Sequence, residues 1–400
     1  MPRADWRVPV VVLICGAAVL GLNMGIRQAF GLFMEPMTAD LGIGRGSFSL
    51  AMAVQNLLWG VMTPFFGVFA DRYGTGRTLV FGGVIYSAGI LIMALGDSLL
   101  AMHLGGGVMV GVAVSASGFP LVLAAVARAF PAERRSVALG IASAGGSVGQ
   151  FLLLPISQGL IGGLGWVNAL LIMAALAFLI VPLAAALAGK PGAVAFGAQS
   201  LSGAVGDARR HSGYLLLNGG FFVCGFHVAF MATHLPAYIT SLGFDPFVGA
   251  TALALIGFFN IIGGLLAGYL GGRYRKKYLL SGIYLARAVA IVLFMVAPNS
   301  ELSVWLFSAS FGLLWLSTVP LTSGLVGDIF GARYLATLFG IVMFSHQIGA
   351  FFGAWLGGLS YDLTGSYTAV WLIAIALGLM AALLHYPIAD RPLAAAAERA

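Results

Sequence analysis

Twelve apolar runs punctuate the chain, near residues 8–35, 46–70, 78–96, 99–127, 136–161, 165–188, 214–241, 247–271, 278–297, 302–327, 335–360 and 367–389, divided by short charged or Gly/Pro-rich breaks. That pattern limits the fold more than any single motif does. About 20 apolar residues in a helix cross the hydrocarbon core of a bilayer. Lipid offers backbone N–H and C=O groups no partner, and a helix satisfies them internally. The predicted class is an all-α membrane protein of twelve transmembrane helices. The composition agrees: 60% of residues are hydrophobic and 8% charged, against about a quarter charged in soluble domains. The 57 glycines suit closely approaching membrane helices. Cys15 and Cys224 both fall inside apolar runs and read as small buried groups, not as a disulfide. Residues 1–7, MPRADWR, have the look of a signal-peptide n-region. The run behind them is too long for an h-region and ends without a small-residue cleavage site, so it counts as the first span.

An even number of spans places both termini on one side, and the basic residues say which. Arg72 and Arg77 follow span 2, Arg128, Arg134 and Arg135 span 4, Lys190, Arg209 and Arg210 span 6, Arg273, Arg275, Lys276 and Lys277 span 8, and Arg333 span 10. With Arg3, Arg7, Arg391 and Arg399, 17 of the 20 basic residues share one side, and Arg45 alone lies on the other. The bias makes the rich side cytoplasmic and the expected location a bacterial-type inner membrane. The net charge of +7 is thus loop charge, not a nucleic-acid footprint. Arg27 and Arg287 remain, both within the membrane.

The polar, glycine-rich segment 189–212 is the longest connection and reads as a linker between a first bundle, residues 1–188, and a second, residues 213–400. The halves repeat at an offset of 200 residues. Pro120/Pro320, Leu121/Leu321, Phe130/Phe330, Ala132/Ala332, Gly140/Gly340, Ile141/Ile341, Gly149/Gly349 and Phe151/Phe351 coincide. Gly25-Ile26-Arg27-Gln28-Ala29-Phe30 faces Gly225-Phe226-His227-Val228-Ala229-Phe230, and Pro36 and Pro236 stand where both spans are expected to close. A duplicated six-span unit is a transporter signature, with substrate held near the midplane. The duplication puts Arg27 and His227 at equivalent places. In span 5, Gly140, Ala144, Gly145, Gly146 and Gly149 read as a helix-packing face.

After span 2, "GVFADRYGTGRT", residues 67–78, presents Gly67, Asp71, Arg72, Gly74 and Arg77. This resembles the loop signature of the major facilitator superfamily. "GYLGGRYRKK" after span 8 is similar to a degenerate second copy, keeping Gly268, Arg273 and the basic end. The resemblance implies two pseudo-symmetric six-helix bundles and a cytoplasmic gate at the motif. There Asp71 would pair with a basic group or cap a helix in one state of the transport cycle. "RQAFGLFMEPM" and "LGIGRGSFSLAMA" further resemble the bacterial monocarboxylate and oxalate/formate carriers. Those carriers often place an arginine in span 8, where this chain offers Asn260.

The resemblance implies that spans 1, 4, 7 and 10 line the cavity, which brings Arg27 of span 1 and His227 and His234 of span 7 into view. A charge at membrane depth costs about 3 kcal/mol or more and needs a partner. No Asp or Glu lies near the middle of any span. An incoming carboxylate would supply one, since a planar guanidinium binds it bidentately; the bland alternative is that Arg27 bonds carbonyls or amides such as Asn23 or Gln55. His227 and His234, two turns apart, are second donors or titratable groups, or satisfied interior histidines. Asn23, Gln55 and Asn260, Arg287 in span 9, peripheral by the resemblance, and His346 and Gln347 in span 11 are further substrate-site candidates. Asn56, Gln150 and Asn260 are suited to bridging helices or ordering water.

These features indicate a monomeric secondary carrier for a small organic anion, such as a monocarboxylate, working by proton symport or anion exchange. Two rival readings are a multidrug exporter, which often uses an acid for cations, and a non-transporting receptor or scaffold, which needs no cavity charge. No P-loop, H-E-x-x-H or nucleophile elbow is found, so neither an enzyme nor a bound cofactor is expected.

Overall fold

The computed structural model describes residues 8–189, 201–331 and 335–392. Of the residues used above for orientation, Arg3, Arg7, Lys190, Arg333 and Arg399 lie outside these, as do residues 190–200 of the 189–212 linker. The described residues are helical throughout. In chain order they form α1 (Pro9–Ala29), a 3-10 turn (Phe30–Phe33), α2 (Met34–Leu41), α3 (Arg45–Tyr73), α4 (Thr75–Leu95), α5 (Leu99–Met102), a π turn (His103–Met109), α6 (Val110–Ser117), α7 (Phe119–Ala129), α8 (Ala132–Phe178), α9 (Ile180–Leu183), α10 (Leu201–Arg210), α11 (Ser212–Ser241), α12 (Pro246–Arg273), α13 (Lys276–Val296), α14 (Glu301–Leu314), α15 (Thr318–Phe330), α16 (Leu335–Thr364) and α17 (Thr368–His385).

Eleven continuous stretches of the described residues are long and apolar enough to cross a membrane. The twelve expected runs map onto them because spans 5 and 6 merge into one stretch, Glu133–Leu183. Its turning point is Gly165, at φ 80° and ψ 162°. A residue with a Cβ adopts that left-handed φ only at a cost, so glycine lets one apolar run reverse without a polar loop. Spans 1, 4 and 10 are each assembled from broken pieces: α1–α2 through the 3-10 turn, α5–α7 through the π turn, and α14–α15 through residues 315–317. Such breaks recur in membrane helices that line cavities.

Two expectations need correction. Span 1 runs to Leu41, not to 35, and neither proline closes its span: Pro36 lies inside α2 and Pro236 inside α11. A proline within a helix removes one backbone hydrogen bond. At Pro236 the carbonyl deprived of its i+4 N–H is that of Ala232, and Gly31 packs directly against that oxygen. The helix tolerates the proline because a neighbouring backbone, without a side chain, approaches the freed carbonyl.

The chain divides into two compact units. The first comprises Met1–Ala193 with Ala232–Phe258, the second Val194–Met231 with Phe259–Ala400. In the first, α1 lies on α8 along a glycine seam. A Cβ at Gly25 would come within 2.6 Å of the Gly149 carbonyl oxygen and one at Gly145 within 2.5 Å of the Ala17 oxygen, while one at Gly149 would overlap the Gly21 backbone. The second unit repeats the seam between α11 and α16, where Gly225 meets the His346 carbonyl, Gly349 that of Phe222 and Gly353 that of Phe226. Backbone-to-backbone contact of this kind replaces the hydrophobic drive that lipid removes. Gly145 and Gly149 of the span 5 motif thus pack on α1, Gly146 lies against Phe119, and a Cβ at Gly140 would meet open space.

Candidate substrate site

Arg27 sits in the last turn of α1, where the helix's partial negative charge favours a cation. It is 8% exposed. Its Nη2 donates to the Asn56 side-chain oxygen of α3, and its guanidinium lies 4.6 Å from the centroid of the Trp59 ring. Asn56 is itself oriented, because its Nδ2 donates to the Met52 carbonyl at 2.8 Å, one turn back. Asn56 and Trp59 are three residues apart and so share one helix face. A ring face under a desolvated guanidinium contributes about 1–2 kcal/mol, and the amide oxygen satisfies one donor. Neither neutralises the charge. The Arg27 Nε is buried without a hydrogen-bond partner, and no ion pair among the described residues reaches this side chain.

The amides expected as structural partners of Arg27 are engaged elsewhere. Asn23 Nδ2 donates to Ser117 Oγ of α6 at 2.7 Å, and Tyr86 Oη donates to the Asn23 backbone carbonyl at 3.0 Å. Gln55 Nε2 donates to the Gly106 carbonyl in the π turn at 2.8 Å. These bonds tie spans 1 and 2 to span 4 and leave Arg27 to Asn56 and Trp59. Asn23 keeps a buried, unpartnered Oδ1 one turn from Arg27, and Gln28 a buried, unpartnered Oε1 beside it. His234 is fully buried in this same unit, and the neighbouring Thr233 carbonyl lies close to Gly31.

In the second unit the polar candidates converge on the break in span 10. Arg287 of α13 is wholly buried. Its Nε and Nη2 donate to the Leu314 carbonyl at 3.2 and 2.6 Å, and Nη2 also donates to that of Trp315. These are carbonyls at the end of α14, which lack helical partners. Tyr284 and Phe311 lie 5.3 and 5.9 Å away as ring neighbours of the guanidinium. On the far side of the break Asn260 Oδ1 accepts from Leu316 N at 3.0 Å, and Ser317 Oγ donates to the Leu313 carbonyl at 2.5 Å. Arg287 and Asn260 therefore close a broken helix. Cys224 Sγ and Thr318 Oγ1 are 3.2 Å apart at the start of α15. His227 is fully buried, with Nε2 2.8 Å from the Ala374 carbonyl of α17 and its ring edge-on to Phe226 and Phe311. His346 rests on the Phe221 ring at 5.1 Å, and Gln347 is buried with its Oε1 unpartnered.

In the loop motif, Gly74 ends α3 at φ 97°, a conformation that favours glycine, and its N–H bonds back to Ala70. Asp71, Arg72 and Arg77 are exposed, and Gly67 is half-buried with open space around it. Arg128 of α7 donates to Thr75 Oγ1 at 2.8 Å, within electrostatic reach of Asp71. The position 200 residues on is Asp328, which pairs with Lys276 at 2.6 Å. Arg128 and Asp328 thus both reach the start of the preceding span, Arg128 through the Thr75 hydroxyl of α4 and Asp328 through the Lys276 ammonium of α13.

A repeated six-span plan, breaks in spans 1, 4 and 10 and this charged turn after span 2 coincide with a family match: the model of the Major Facilitator Superfamily covers residues 13–338. The chain belongs to the Major Facilitator Superfamily. Among its relatives are the uncharacterized MFS-type transporter YcxA of Bacillus subtilis (strain 168), 26% identical with 98% of this chain and 97% of the relative covered, and monocarboxylate transporter 13 of Bos taurus, 26% identical with 88% and 83% covered. Solved structures share the fold at 16% identity. A bacterial homologue of the human lysosomal transporter Spinster, inward-facing and occupied, has a TM-score of 0.74 with 95% of this chain and 97% of that one covered. A D-xylose-proton symporter has a TM-score of 0.69, with 97% and 99% covered. Major facilitator proteins are transporters, and the apolar helices make this a multi-pass membrane protein.

Trp59 was not singled out from the sequence, although it lies one turn beyond Asn56 and faces the same way. The signal was available: an aromatic three residues after an amide, in the span next to a stranded cation.

Proposed function

We propose that this chain is a secondary carrier that moves a small organic anion, a monocarboxylate, across the inner membrane by alternating access. The observation that carries the proposal is the buried Arg27 guanidinium, with Nε unpartnered and, among the described residues, no acidic side chain paired with it. A carboxylate arriving there gains a charge-assisted hydrogen bond and neutralises a cation that the fold leaves uncompensated. The number of charges supports one carboxylate over two. Of the two guanidiniums at membrane depth, Arg287 spends Nε and Nη2 on the Leu314 and Trp315 carbonyls and keeps only Nη1 unpartnered. That leaves Arg27 as the cation for cargo. Trp59, stacked on the guanidinium, gives the cargo's organic portion an apolar neighbour. Relatives named monocarboxylate transporters, at about a quarter identity, lend the same direction. In this proposal residues 1–188 and 213–400 are the moving bundles, joined by the 189–212 linker. The termini are cytoplasmic, the carrier is a monomer, and Asp71, within electrostatic reach of Arg128, belongs to the cytoplasmic gate.

A thermal-shift panel of mono-, di- and tricarboxylates on the purified protein tests it, since a ligand bound only by the folded state raises the unfolding temperature. Monocarboxylates raise it in wild type and not in Arg27→Gln. A dicarboxylate that stabilises more strongly, or stabilisation that survives the substitution, contradicts the reading. Uptake driven by an imposed pH gradient, compared with uptake driven by preloaded anion, separates symport from exchange.

A further inference from the structure

The turn between α12 and α13 reads Arg273-Tyr274-Arg275-Lys276-Lys277-Tyr278, four cations in five residues followed by a tyrosine. Its placement is electrostatically inverted, because three of these cations occupy the N-terminus of α13, the positive end of the helix dipole. Arg275, at the N-cap position, makes no side-chain cap bond to the helix. The fold supplies only part of the compensation. Arg275 pairs with Asp390 at 2.5 Å and Lys276 with Asp328 at 2.6 Å. Lys277 Nζ donates to the neutral Ile388 carbonyl at 2.8 Å. Two carboxylates against four cations leave an excess of two positive charges, and Arg273 stays exposed.

Aromatic rings surround this excess. Tyr274, Tyr278 and Tyr386 are 56%, 43% and 63% exposed. Tyr278 and Tyr386 lie 5.3 Å apart, and both Arg275 and Lys277 sit over the Tyr278 ring, at 5.3 and 5.0 Å. Exposed tyrosines at the end of apolar spans mark the headgroup level of a bilayer, and a basic cluster immediately beyond a span attracts anionic lipid. We infer that this face, made by Arg273, Tyr274, Arg275, Tyr278 and Tyr386 over the buried Lys277, is a binding site for the phosphate headgroup of an anionic phospholipid in the adjoining leaflet. The single negative charge of the phosphodiester offsets half of that excess at the start of α13, while the tyrosines hold the glycerol and upper acyl region.

The test uses the full chain in vesicles of pure phosphatidylcholine, and of phosphatidylcholine with phosphatidylglycerol. A third arm adds inorganic phosphate to the pure phosphatidylcholine vesicles. Native mass spectrometry reads lipid retained after extraction, and hydrogen exchange reads residues 271–278. Wild type retains phosphatidylglycerol over phosphatidylcholine, and exchange in the turn slows only in the anionic vesicles. Arg273→Gln lowers that enrichment about fivefold, the scale of one interfacial cation. Arg134→Gln/Arg135→Gln, which removes two exposed cations elsewhere, leaves it unchanged. Equal retention of the two lipids by wild type overturns the inference. So does an equal loss in the Arg134/Arg135 control, or slowing by inorganic phosphate alone.

Discussion

Replacing Arg287 by Met separates a residue that holds the fold from one that holds substrate. The side chain is wholly buried, and its three donated bonds end on the carbonyls of Leu314 and Trp315. Methionine fills similar space and donates nothing, so both carbonyls lose their partner at the broken end of α14. A buried orphaned polar group costs roughly 1–3 kcal/mol. Two give about 2–6 kcal/mol, partly offset because a buried charge is removed as well. Polar contacts between membrane helices measure at the lower end of such ranges, so about 2–4 kcal/mol is expected. At about 2–4 °C per kcal/mol for a unit of this size, the midpoint of thermal unfolding in detergent falls by roughly 4–16 °C. Arg287→Lys recovers part of the loss, since a single ammonium reproduces the charge but not the planar fork that spans two carbonyls. The KM for uptake by the folded fraction stays within about twofold of wild type. A variant that unfolds like wild type yet shows a tenfold higher KM refutes this reasoning and returns Arg287 to the substrate site.

Other substitutions probe the seam and the linker end. Gly149→Leu drives a side chain into the Gly21 backbone and abolishes recovery of folded protein in size-exclusion chromatography, whereas Gly140→Ala, which meets open space, leaves recovery and unfolding temperature unchanged. His211 Nδ1 accepts from Tyr214 N at 3.2 Å at the start of α11, and burial holds its imidazole below the usual pKa. A group with a lowered folded pKa contributes stability above its unfolded value, about 6.5, and loses it as pH falls through the folded value. Hydrogen exchange at residues 213–216 therefore speeds up between pH 7.5 and 5.5 in wild type after correction for intrinsic rates. In His211→Asn, which keeps a capping acceptor without the titration, it does so much less.

The fold was legible because lipid converts one property, the length of apolar runs, into secondary structure. Where prediction and structure part, the cause is local. Gly165 turns the chain without a polar loop, so spans 5 and 6 form one apolar stretch. Pro36 falls in the first turn of α2, where its missing N–H costs no helical bond, and α11 passes through Pro236 because Gly31 packs closely on the Ala232 carbonyl. Arg27 stood out from sequence since no carboxylate shares its depth. Its contacts did not, because Asn23, Gln55 and Asn56 offer the same amide chemistry within reach of span 1, and only the packing of α1 on α3 and α6 chooses among them. Arg287 and Asn260 resembled substrate ligands for a related reason. The broken backbone of span 10, to which both are bonded, is signalled only by its flanks, Gly312 and Pro320, and nothing in the sequence says that Arg287 and Asn260 close it.

The central claim is that Arg27 awaits an anion. The direct measurement is initial uptake of a radiolabelled monocarboxylate into proteoliposomes holding wild type, Arg27→Lys or Arg27→Gln, at matched protein content and confirmed fold. Uptake that is saturable in wild type, reduced in Arg27→Lys and lost in Arg27→Gln is the predicted result. Saturable uptake in Arg27→Gln at wild-type rate and KM contradicts the account.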